Sequence, residues 1–357
     1  MSWLRPITPL QLNAGLTMSS IESKAYSVLF PVLLDLEMND DVRKFLGSGG
    51  RSLLFGETAQ EYVSGKMSAS RLASETLEKW QGFTDAAIEL GGPLLLAADA
   101  DISAVHRLQG IAPALPEPER ARAMDVAELE EACFHVATAV RKAGVNLLLS
   151  PTADVLAGTN VWLQGRTLSD DVGRAAAMVG AYVRGVRRAG MASTLKHFPG
   201  HPVLLCQPSI EEAVVTESLD QLRGYWPAFQ AGVNAGADAV MMGPAIFTAC
   251  EPPAAASVSP GLIGLLRHEL GFNGLVMTID LDHRSTIGNS SLGEVTVAAL
   301  NAGADLLLLS AKAVPEIPQI VGAIVAAVAA GTLAQERLDA AALAVSALAN
   351  RLASFGS

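Results

Sequence analysis

Charged side chains follow several short apolar runs along this chain of 357 residues. A ligand hydroxyl can donate a hydrogen bond to a carboxylate and accept one from an ammonium or guanidinium group. Side chains of both signs that converge on one surface therefore suit a small polar ligand rich in hydroxyl groups. The candidate acids are Asp99, Asp101, Asp280 and Asp282, and the candidate bases are Arg107, Arg166, Lys196, His197 and His283.

Each of these residues also has an ordinary structural interpretation. An Asp after a strand commonly caps the next helix, and Arg166 with Asp170 or Asp171 could be a surface ion pair. Asp282 and His283 could form a base and its orienting carboxylate. Alternatively, Asp282 caps the next helix and His283 is solvated, and this second interpretation is the favoured one.

The apolar runs that must position these residues form a repeating pattern. Helix-like segments such as 174–188 and 219–235 lie between most of the runs, which are commonly preceded by Gly or Ala-Gly. Eight alternating runs favour an α/β fold, a single (β/α)8 TIM-type barrel, with a doubly wound open sheet as the alternative. The runs are YSVLFPVLLD, GGRSLLFG, LGGPLLLAAD, KAGVNLLLS, RAGMASTLKH, NAGADAVMM, LGFNGLVMTID and NAGADLLLLS.

We expect one main domain. Residues 26–357, including the C-terminal helices, are predicted to form the barrel, with residues 1–25 as an N-terminal extension packed on it. The Ala-rich helix at about 333–352 is expected to pack on its own barrel. The alternative is packing against a partner subunit, so a homodimer is one assembly that the sequence allows.

Composition argues against several classes of partner. A net charge of -11 would repel the phosphates of nucleic acid. Cys133, Cys206 and Cys250 are far apart, so the sequence predicts neither a disulfide framework nor a metal site, and no GxGxxG motif indicates a cofactor. The first residues do not resemble a secretory signal, and the run IVGAIVAAVAAGTLA is short for a membrane span. We therefore expect a cytoplasmic protein with a small-molecule ligand and no cofactor, metal or membrane contact.

The segment KHFPGH at residues 196–201 resembles the signature of glycoside hydrolase family 3, especially its single-domain β-N-acetylglucosaminidases. PLLLAADADISAVHRL and RHELGFNGLVMTIDLD are similar to two further segments of that family. The resemblance implies a (β/α)8 barrel. It also implies a subsite that holds the sugar beside the cleaved bond, through charge-assisted hydrogen bonds from five residues. These residues are Asp99, Arg107, Arg166, Lys196 and His197.

The resemblance breaks down at the positions that carry out hydrolysis. A retaining glycosidase needs a carboxylate nucleophile and a group that protonates the leaving oxygen. The family alignment puts Ile279 at the nucleophile and Gln207 and Ser209 at the Asp-His acid/base pair. Pro202 replaces a Gly in the same loop, which should follow a different path because Pro fixes φ and lacks a backbone donor. The resemblance therefore implies a degenerate catalytic site.

Three hypotheses are compatible with this pattern. The first is a pseudo-hydrolase or repurposed enzyme that holds a hexosamine-like ligand, such as N-acetylglucosamine, or another polyhydroxylated molecule. The second is an active β-N-acetylhexosaminidase that uses displaced groups such as Asp280 or Asp282. Asp280 would have to turn inward for this, and a one-residue shift at a strand end usually faces the other way. The third is a non-catalytic interaction scaffold, so the sequence leaves open whether the chain is an enzyme.

Overall fold

A computed structural model describes residues 20–355 of the chain. Each of the eight predicted apolar runs contains a strand, and the barrel strands other than β5 are largely apolar because a parallel sheet is buried on both faces. The strands in chain order are β1 (Leu29–Leu33), β2 (Ser52–Phe55), β3 (Leu95–Ala98), β4 (Leu147–Leu148), β5 (Ala192–Phe198), β6 (Val214–Val215), β7 (Ala239–Met242), β8 (Ile246–Phe247), β9 (Ala254–Ala255), β10 (Leu275–Thr278) and β11 (Leu307–Leu309).

Eight of these strands form a parallel barrel. Their order in the sheet is β10, β7, β5, β4, β3, β2, β1 and β11. A parallel bridge between Met277 of β10 and Leu306, which precedes β11, joins the two ends of the sheet. The predicted (β/α)8 architecture is confirmed, and the open-sheet alternative is wrong. The short strands β6, β8 and β9 form a separate sheet.

Helices surround the barrel, and one predicted helix is divided. The prediction of a single helix at 219–235 is wrong, because one helix ends at Arg223 and the next begins at Pro227. Proline has no N–H to continue a helix but suits a first turn. The helices are α1 (Ile21–Ser27), α2 (Asp40–Gly47), α3 (Ala59–Ser64), α4 (Ala69–Ser74), α5 (Leu77–Gly91), α6 (Pro118–Ala123), α7 (Val126–Lys142), α8 (Val172–Arg188), α9 (Leu219–Arg223), α10 (Pro227–Ala235), α11 (Pro260–His268), α12 (Arg284–Ile287), α13 (Leu292–Ala302), α14 (Ile317–Ala329) and α15 (Gln335–Ala353).

The inner wall of the barrel is apolar, and Ile279 belongs to it. Leu275, Met277 and Ile279 are spaced two apart, so they share one face of the chain at β10. They pack in one buried cluster with Leu306 and Leu308 from the neighbouring strand region. Ile279, which directly follows β10, is 6% exposed. Its side chain therefore ends the inner wall at the mouth of the barrel, where the C-terminal ends of the strands meet.

The C-terminal helix α15 packs on its own barrel at the opposite end. Val345, Leu348 and Leu352 belong to the same buried cluster as the inner wall. Arg351 forms an ion pair with Asp238, which directly precedes β7. Because Asp238 lies before its strand, α15 covers the end where the strands begin and leaves the mouth free.

Most of the predicted N-terminal extension, residues 1–19, lies outside the described residues. The described part begins with Ser20, which caps α1. Lys24 of α1 pairs with Asp339 of α15 at 2.7 Å. Within residues 20–355, none of the helices is both long enough and apolar enough to cross a membrane.

Candidate functional site at the barrel mouth

A buried ion pair between Asp99 and Lys196 lies at the barrel mouth. Asp99 directly follows β3 and Lys196 lies near the end of β5, so the parallel strands bring them to the same rim. Lys196 Nζ is 2.5 Å from Asp99 Oδ1, and both residues are buried. Burial alone would lower the pKa of Lys196, but the Asp99 carboxylate and Tyr62 outweigh it and raise that pKa. The mouth therefore presents a charged donor and a charged acceptor side by side.

Arg166 reaches the mouth through Tyr62 of α3. Its Nη2 donates to the Tyr62 hydroxyl, and its Nη1 donates to the Trp162 carbonyl at 3.2 Å. The guanidinium carbon lies 4.8 Å from the centre of the Tyr62 ring, within cation–π range. The alternative of a surface pair with Asp170 or Asp171 is wrong, because no ion pair joins Arg166 to either carboxylate within the described residues, and Asp171 caps α8. Arg166 is thus held by a hydroxyl and a carbonyl.

Arg107 has protein partners for much of its guanidinium group. Nη1 and Nη2 donate to the two carboxylate oxygens of Glu75 at 2.7 and 3.0 Å, and Nε donates to the Gly56 carbonyl at 2.9 Å. The guanidinium also lies 5.1 Å from the centre of the Trp80 ring, and the residue is only 2% exposed. Contact between Arg107 and a ligand stays a prediction, and it would require the pair with Glu75 to rearrange.

His197 is held by a fully buried carboxylate, Asp154. Asp154 accepts hydrogen bonds from the backbone N–H and ring Nδ1 of His197 at 2.8 and 2.9 Å. It accepts the same two bonds from His201 at 2.9 and 3.0 Å. Trp162 packs against the His197 ring at 4.6 Å between centroids. Burial lowers the pKa of His197 to about 3 although Asp154 opposes the shift, so the imidazole is neutral near pH 7. With Nδ1–H donated to Asp154, its Nε2 is an acceptor.

The neutrality of His197 predicts a loss of stability in mild acid. Its pKa in the folded protein, about 3, lies below the ordinary histidine value of about 6.5. Between these values the unfolded chain binds more protons than the folded one. The stabilisation is therefore complete above pH 6.5 and is lost as the pH falls toward 3. We expect His197 to contribute about 2 kcal/mol less to the free energy of unfolding at pH 5 than at pH 8.

Urea unfolding at these two pH values measures this loss. His197→Asn keeps an N–H donor toward Asp154 but does not titrate, so its stability should change less between the two pH values than that of the wild type. His135→Asn is the control, because the His135 side chain is 66% exposed and should leave the pH dependence unchanged. Equal losses in His197→Asn and the wild type would contradict the prediction.

Glu57 is a mouth residue that the sequence did not lead us to select. Glu57 lies two positions after β2, and Asp99 lies one position after β3. This place after a strand is the sequence feature that could have identified Glu57. Its Oε1 is buried without a hydrogen-bond partner among residues 20–355. Burial and the neighbouring Asp99 carboxylate raise the pKa of Glu57 to about 8, against the opposing effect of Arg107 and Lys196. Glu57 is therefore mostly a neutral acid at pH 7.

The loop after β10 pairs its charged residues differently from both sequence interpretations. His283 Nε2 lies 3.5 Å from Asp280 Oδ2, and Asp282 Oδ2 accepts a 2.7 Å hydrogen bond from Ser310. The Asp282–His283 pair is therefore not formed. The favoured alternative is also wrong, because α12 has His283 as its N-cap with no side-chain cap bond, and the His283 side chain is only 16% exposed.

Asp280 directly follows Ile279 and lies beside His283 in this loop. Burial raises its pKa, and the carboxylates of Asp282 and Asp99 raise it further, whereas His283 lowers it. That Asp280 faces away from the mouth stays a prediction.

The loop after β5 uses its altered residues for structural contacts. Gln207 Nε2 donates to the Val161 carbonyl at 2.7 Å. Ser209 is exposed, and its carbonyl accepts a long, 3.4 Å hydrogen bond from the Arg284 backbone. Ser285 holds the same loop through hydrogen bonds of 2.7 Å to the backbone at Glu211 and Ala213. In this arrangement neither Gln207 nor Ser209 supplies a carboxylate or an imidazole to the mouth.

Comparison with known families gives one match over most of the chain. Residues 54–348 match the family described as "Glycosyl hydrolase family 3 N terminal domain". A "Beta-hexosaminidase" of Stenotrophomonas maltophilia (strain R551-3) is 35% identical over 194 residues, which are 54% of this chain and 56% of that protein. A "Beta-hexosaminidase" of Xylella fastidiosa (strain M23) is 36% identical over 225 residues, which are 61% of this chain and 67% of that protein. The chain thus spans little more than half the length of the first relative.

Solved structures share the fold over nearly the whole chain. A glycoside hydrolase family 3 β-N-acetylglucosaminidase from Paenibacillus sp. str. FPU-7 superposes with a TM-score of 0.83 and 26% identity, covering 94% of this chain and 63% of that one. A β-N-acetylhexosaminidase from Beutenbergia cavernae DSM 12333 has a TM-score of 0.79 and 24% identity, covering 93% of this chain and 98% of that one. The second likeness bears on the fold alone.

Proposed function

The chain belongs to glycoside hydrolase family 3, and from this premise we propose that it binds a hexosamine-like or other polyhydroxylated ligand at its barrel mouth. We also propose that it has lost the ordinary hydrolysis of the family. The protein is then either a pseudo-hydrolase or an enzyme repurposed for another reaction. The observation that carries the proposal is a contrast at the barrel mouth, where the ends of β3 and β5 place the charged pair of Asp99 and Lys196 and the end of β10 places the apolar side chain of Ile279.

The binding half of the proposal rests on charged and polar groups that face the mouth. Lys196 offers ammonium N–H groups and Asp99 offers carboxylate oxygens, and both are buried where water competes little. Neutral His197 adds an imidazole acceptor, and Arg166 adds a guanidinium group without a carboxylate partner within the described residues. These side chains together can recognise vicinal hydroxyls, because they combine hydrogen-bond donors and acceptors in fixed positions.

The catalytic half rests on the side chains at the positions of the missing groups. Retaining hydrolysis needs two carboxyl-type groups about 5–5.5 Å apart, or an equivalent acid/base pair. Ile279 has no lone pair and packs in the inner wall. Gln207 is bound to the Val161 carbonyl, and Ser209 is exposed on the loop after β5. None of the three can attack an anomeric carbon or protonate a leaving alcohol at neutral pH.

A second candidate function is supported by Asp280. Its carboxylate lies in the loop that directly follows Ile279, 3.5 Å from His283 Nε2, which makes it the candidate displaced nucleophile of an active β-N-acetylhexosaminidase. Turnover of an aryl β-N-acetylglucosaminide by the wild type, abolished in Asp280→Asn, would favour this second function. The helix α15, which the scaffold hypothesis would offer to a partner, packs on its own barrel.

Ligand binding can be tested by thermal shift with N-acetylglucosamine. A ligand at one hundred times its dissociation constant stabilises the folded state by about 2.7 kcal/mol, which should raise the melting temperature measurably. Lys196→Ala removes a charged donor that is worth about 1.5–3 kcal/mol when it bonds to a ligand. We therefore expect the affinity to fall at least about tenfold in this variant.

The control variant is Lys79→Ala, which removes an exposed lysine from α5 and should bind like the wild type. Lys196→Ala also leaves Asp99 without its cation. The melting temperature of each variant with ligand is therefore compared with that of the same variant without ligand. A panel of other hexosamines and polyols extends the test. The proposal is wrong if none of them shifts the wild type, or if Lys196→Ala binds as tightly as Lys79→Ala.

A further inference from the structure

We propose that Glu57 is a further ligand-binding group, a neutral carboxylic acid that donates a hydrogen bond to an acceptor oxygen of the ligand. This inference rests on the proposed function of the barrel mouth. It assigns a role to a residue that lies outside the set suggested by the family resemblance.

Glu57 lies beside Asp99 on the mouth. Phe55, the last residue of β2, pairs in register with Ala98, the last residue of β3. Glu57 and Asp99 therefore follow two neighbouring parallel strands at the same rim. Lys196 Nζ bonds to Asp99, and Glu57 Oε1 is left buried without a hydrogen-bond partner among residues 20–355. A buried oxygen without a partner is costly unless a ligand or water completes its hydrogen bonding.

The charges around Glu57 are already balanced without it. The cations whose charges act on it are Lys196 of β5, Arg107 of the loop after β3 and Arg71 of α4. Lys196 pairs with Asp99 at 2.5 Å, and Arg107 pairs with Glu75 at 2.7 Å. Arg71 bonds to Glu61 and to Glu75 at 3.0 and 2.8 Å. Tyr62 of α3 completes the surroundings, because the charge of Glu57 acts on its hydroxyl.

Three cations thus face three carboxylates, and an ionised Glu57 would be a fourth, uncompensated anion. Burying an unpaired carboxylate is so unfavourable that such a group takes up a proton instead. This agrees with the raised pKa of Glu57, about 8, whose largest causes are burial and the Asp99 charge. At pH 7 Glu57 therefore carries an O–H donor, whereas Asp99 carries only acceptors.

A neutral acid beside a carboxylate defines what the ligand should offer. An oxygen that accepts from Glu57 must lie next to a hydroxyl that donates to Asp99, which describes vicinal hydroxyls or a hydroxyl beside an amide carbonyl.

The first experiment follows the Glu57 carboxyl in the ligand-free protein. Carboxyl ¹³C resonances of glutamate-labelled protein are titrated from pH 3 to pH 10, and the Glu57 signal is assigned by its absence in Glu57→Gln. We expect a midpoint near 8, because partial burial of Glu57 and the neighbouring Asp99 carboxylate raise its pKa. Glu128→Gln, at a 58% exposed side chain on α7, is the assignment control. A midpoint for Glu57 near 4 to 5 would overturn the neutral-acid assignment.

The second experiment measures the affinity for N-acetylglucosamine by calorimetry between pH 6 and pH 9. If only the neutral acid binds, the affinity of the wild type should fall about tenfold from pH 7 to pH 9, following one proton with a pKa of about 8. The pKa of His197 lies far below this window, and the pKa values of Lys196 and Tyr62 are raised above their usual range. Those groups should therefore not contribute to the change.

Two substitutions separate the possible outcomes. Glu57→Gln keeps an N–H donor without a titrating group, so its affinity should not change with pH. Glu57→Ala should bind weakly at every pH. If the wild type binds the sugar with no pH dependence and Glu57→Ala binds equally well, the role of Glu57 is wrong while the proposed function stands. If the wild type binds no sugar at all, both are overturned.

Discussion

Replacing Asp154 with asparagine should lower the free energy of unfolding by about 1–3 kcal/mol, the usual cost of leaving a buried hydrogen-bond donor without its partner. Asp154 is 1% exposed and accepts four hydrogen bonds, two from His197 and two from His201. A carboxylate offers acceptor oxygens in every direction, whereas the asparagine amide must turn an NH₂ group toward at least one of these donors. One or more buried N–H groups would then lose their partner.

The pH dependence of this effect follows from the pKa of Asp154. Burial alone would raise that pKa, but the hydrogen bonds from His197 and His201 outweigh it and hold the pKa far below the usual aspartate range. A lowered folded pKa means that the stabilisation is present above the unfolded value of about 3.9 and is lost as the pH falls below it. The difference between the wild type and Asp154→Asn should therefore be full at pH 7 and should shrink only in strong acid.

Urea denaturation at pH 7 measures this difference. Asp220→Asn is the matched control, because the Asp220 side chain is 93% exposed and its pair with Arg223 is a surface contact that should leave the unfolding midpoint unchanged. If Asp154→Asn unfolds at the same urea concentration as Asp220→Asn, the buried network does not stabilise the fold. Loss of sugar binding in a folded Asp154→Asn would show that the same network positions His197.

The barrel and part of its mouth could be predicted because they depend on local patterns. Apolar runs, most of them preceded by glycine, placed all eight barrel strands, and the position of Asp99 after β3 placed it at the same rim as Lys196. Alternation within a strand correctly indicated that Ile279 faces inward, since it continues the face of Met277. These inferences need only the geometry of parallel strands, which brings their C-terminal ends to one rim.

The missed features depend on contacts between distant parts of the chain. The pair of Arg107 with Glu75 joins residues 32 positions apart, and no sequence spacing indicates it. Asp282 bonds to Ser310, 28 positions further on, so it could not serve as the predicted helix cap. The neutrality of Glu57 depends on charges from several elements, which only the folded structure brings together.

Ile279→Asp should not restore efficient hydrolysis, and the rate that this variant does reach should depend on the leaving group of the substrate. The new carboxyl would stand in an apolar wall at a site only 6% exposed, so its pKa should be raised and the fold destabilised. Even when ionised, it would act without a general acid at the acid/base positions of the family, where Gln207 and Ser209 stand. General acid catalysis is typically worth about 10²–10⁴-fold in rate.

The need for a proton on the leaving group distinguishes two kinds of substrate. 4-Nitrophenolate leaves readily as an anion, whereas an alkyl alcohol needs a proton as it leaves. In Ile279→Asp, kcat/KM for an alkyl β-N-acetylglucosaminide should therefore be at least about 10²-fold lower than for the 4-nitrophenyl sugar. The wild type should turn over neither. Ile279→Asn is the control, because it has a similar shape and polarity but no nucleophilic carboxylate.

A rate of alkyl glycoside hydrolysis in Ile279→Asp close to the 4-nitrophenyl rate would mean that the mouth already holds a competent acid. Two groups could then be responsible, because Glu57 and Asp280 both have raised pKa values there. Adding Glu57→Gln or Asp280→Asn to Ile279→Asp would identify which of them protonates the leaving oxygen. In that case the site would lack only its nucleophile, and the proposal that both halves of the hydrolytic machinery are lost would be wrong.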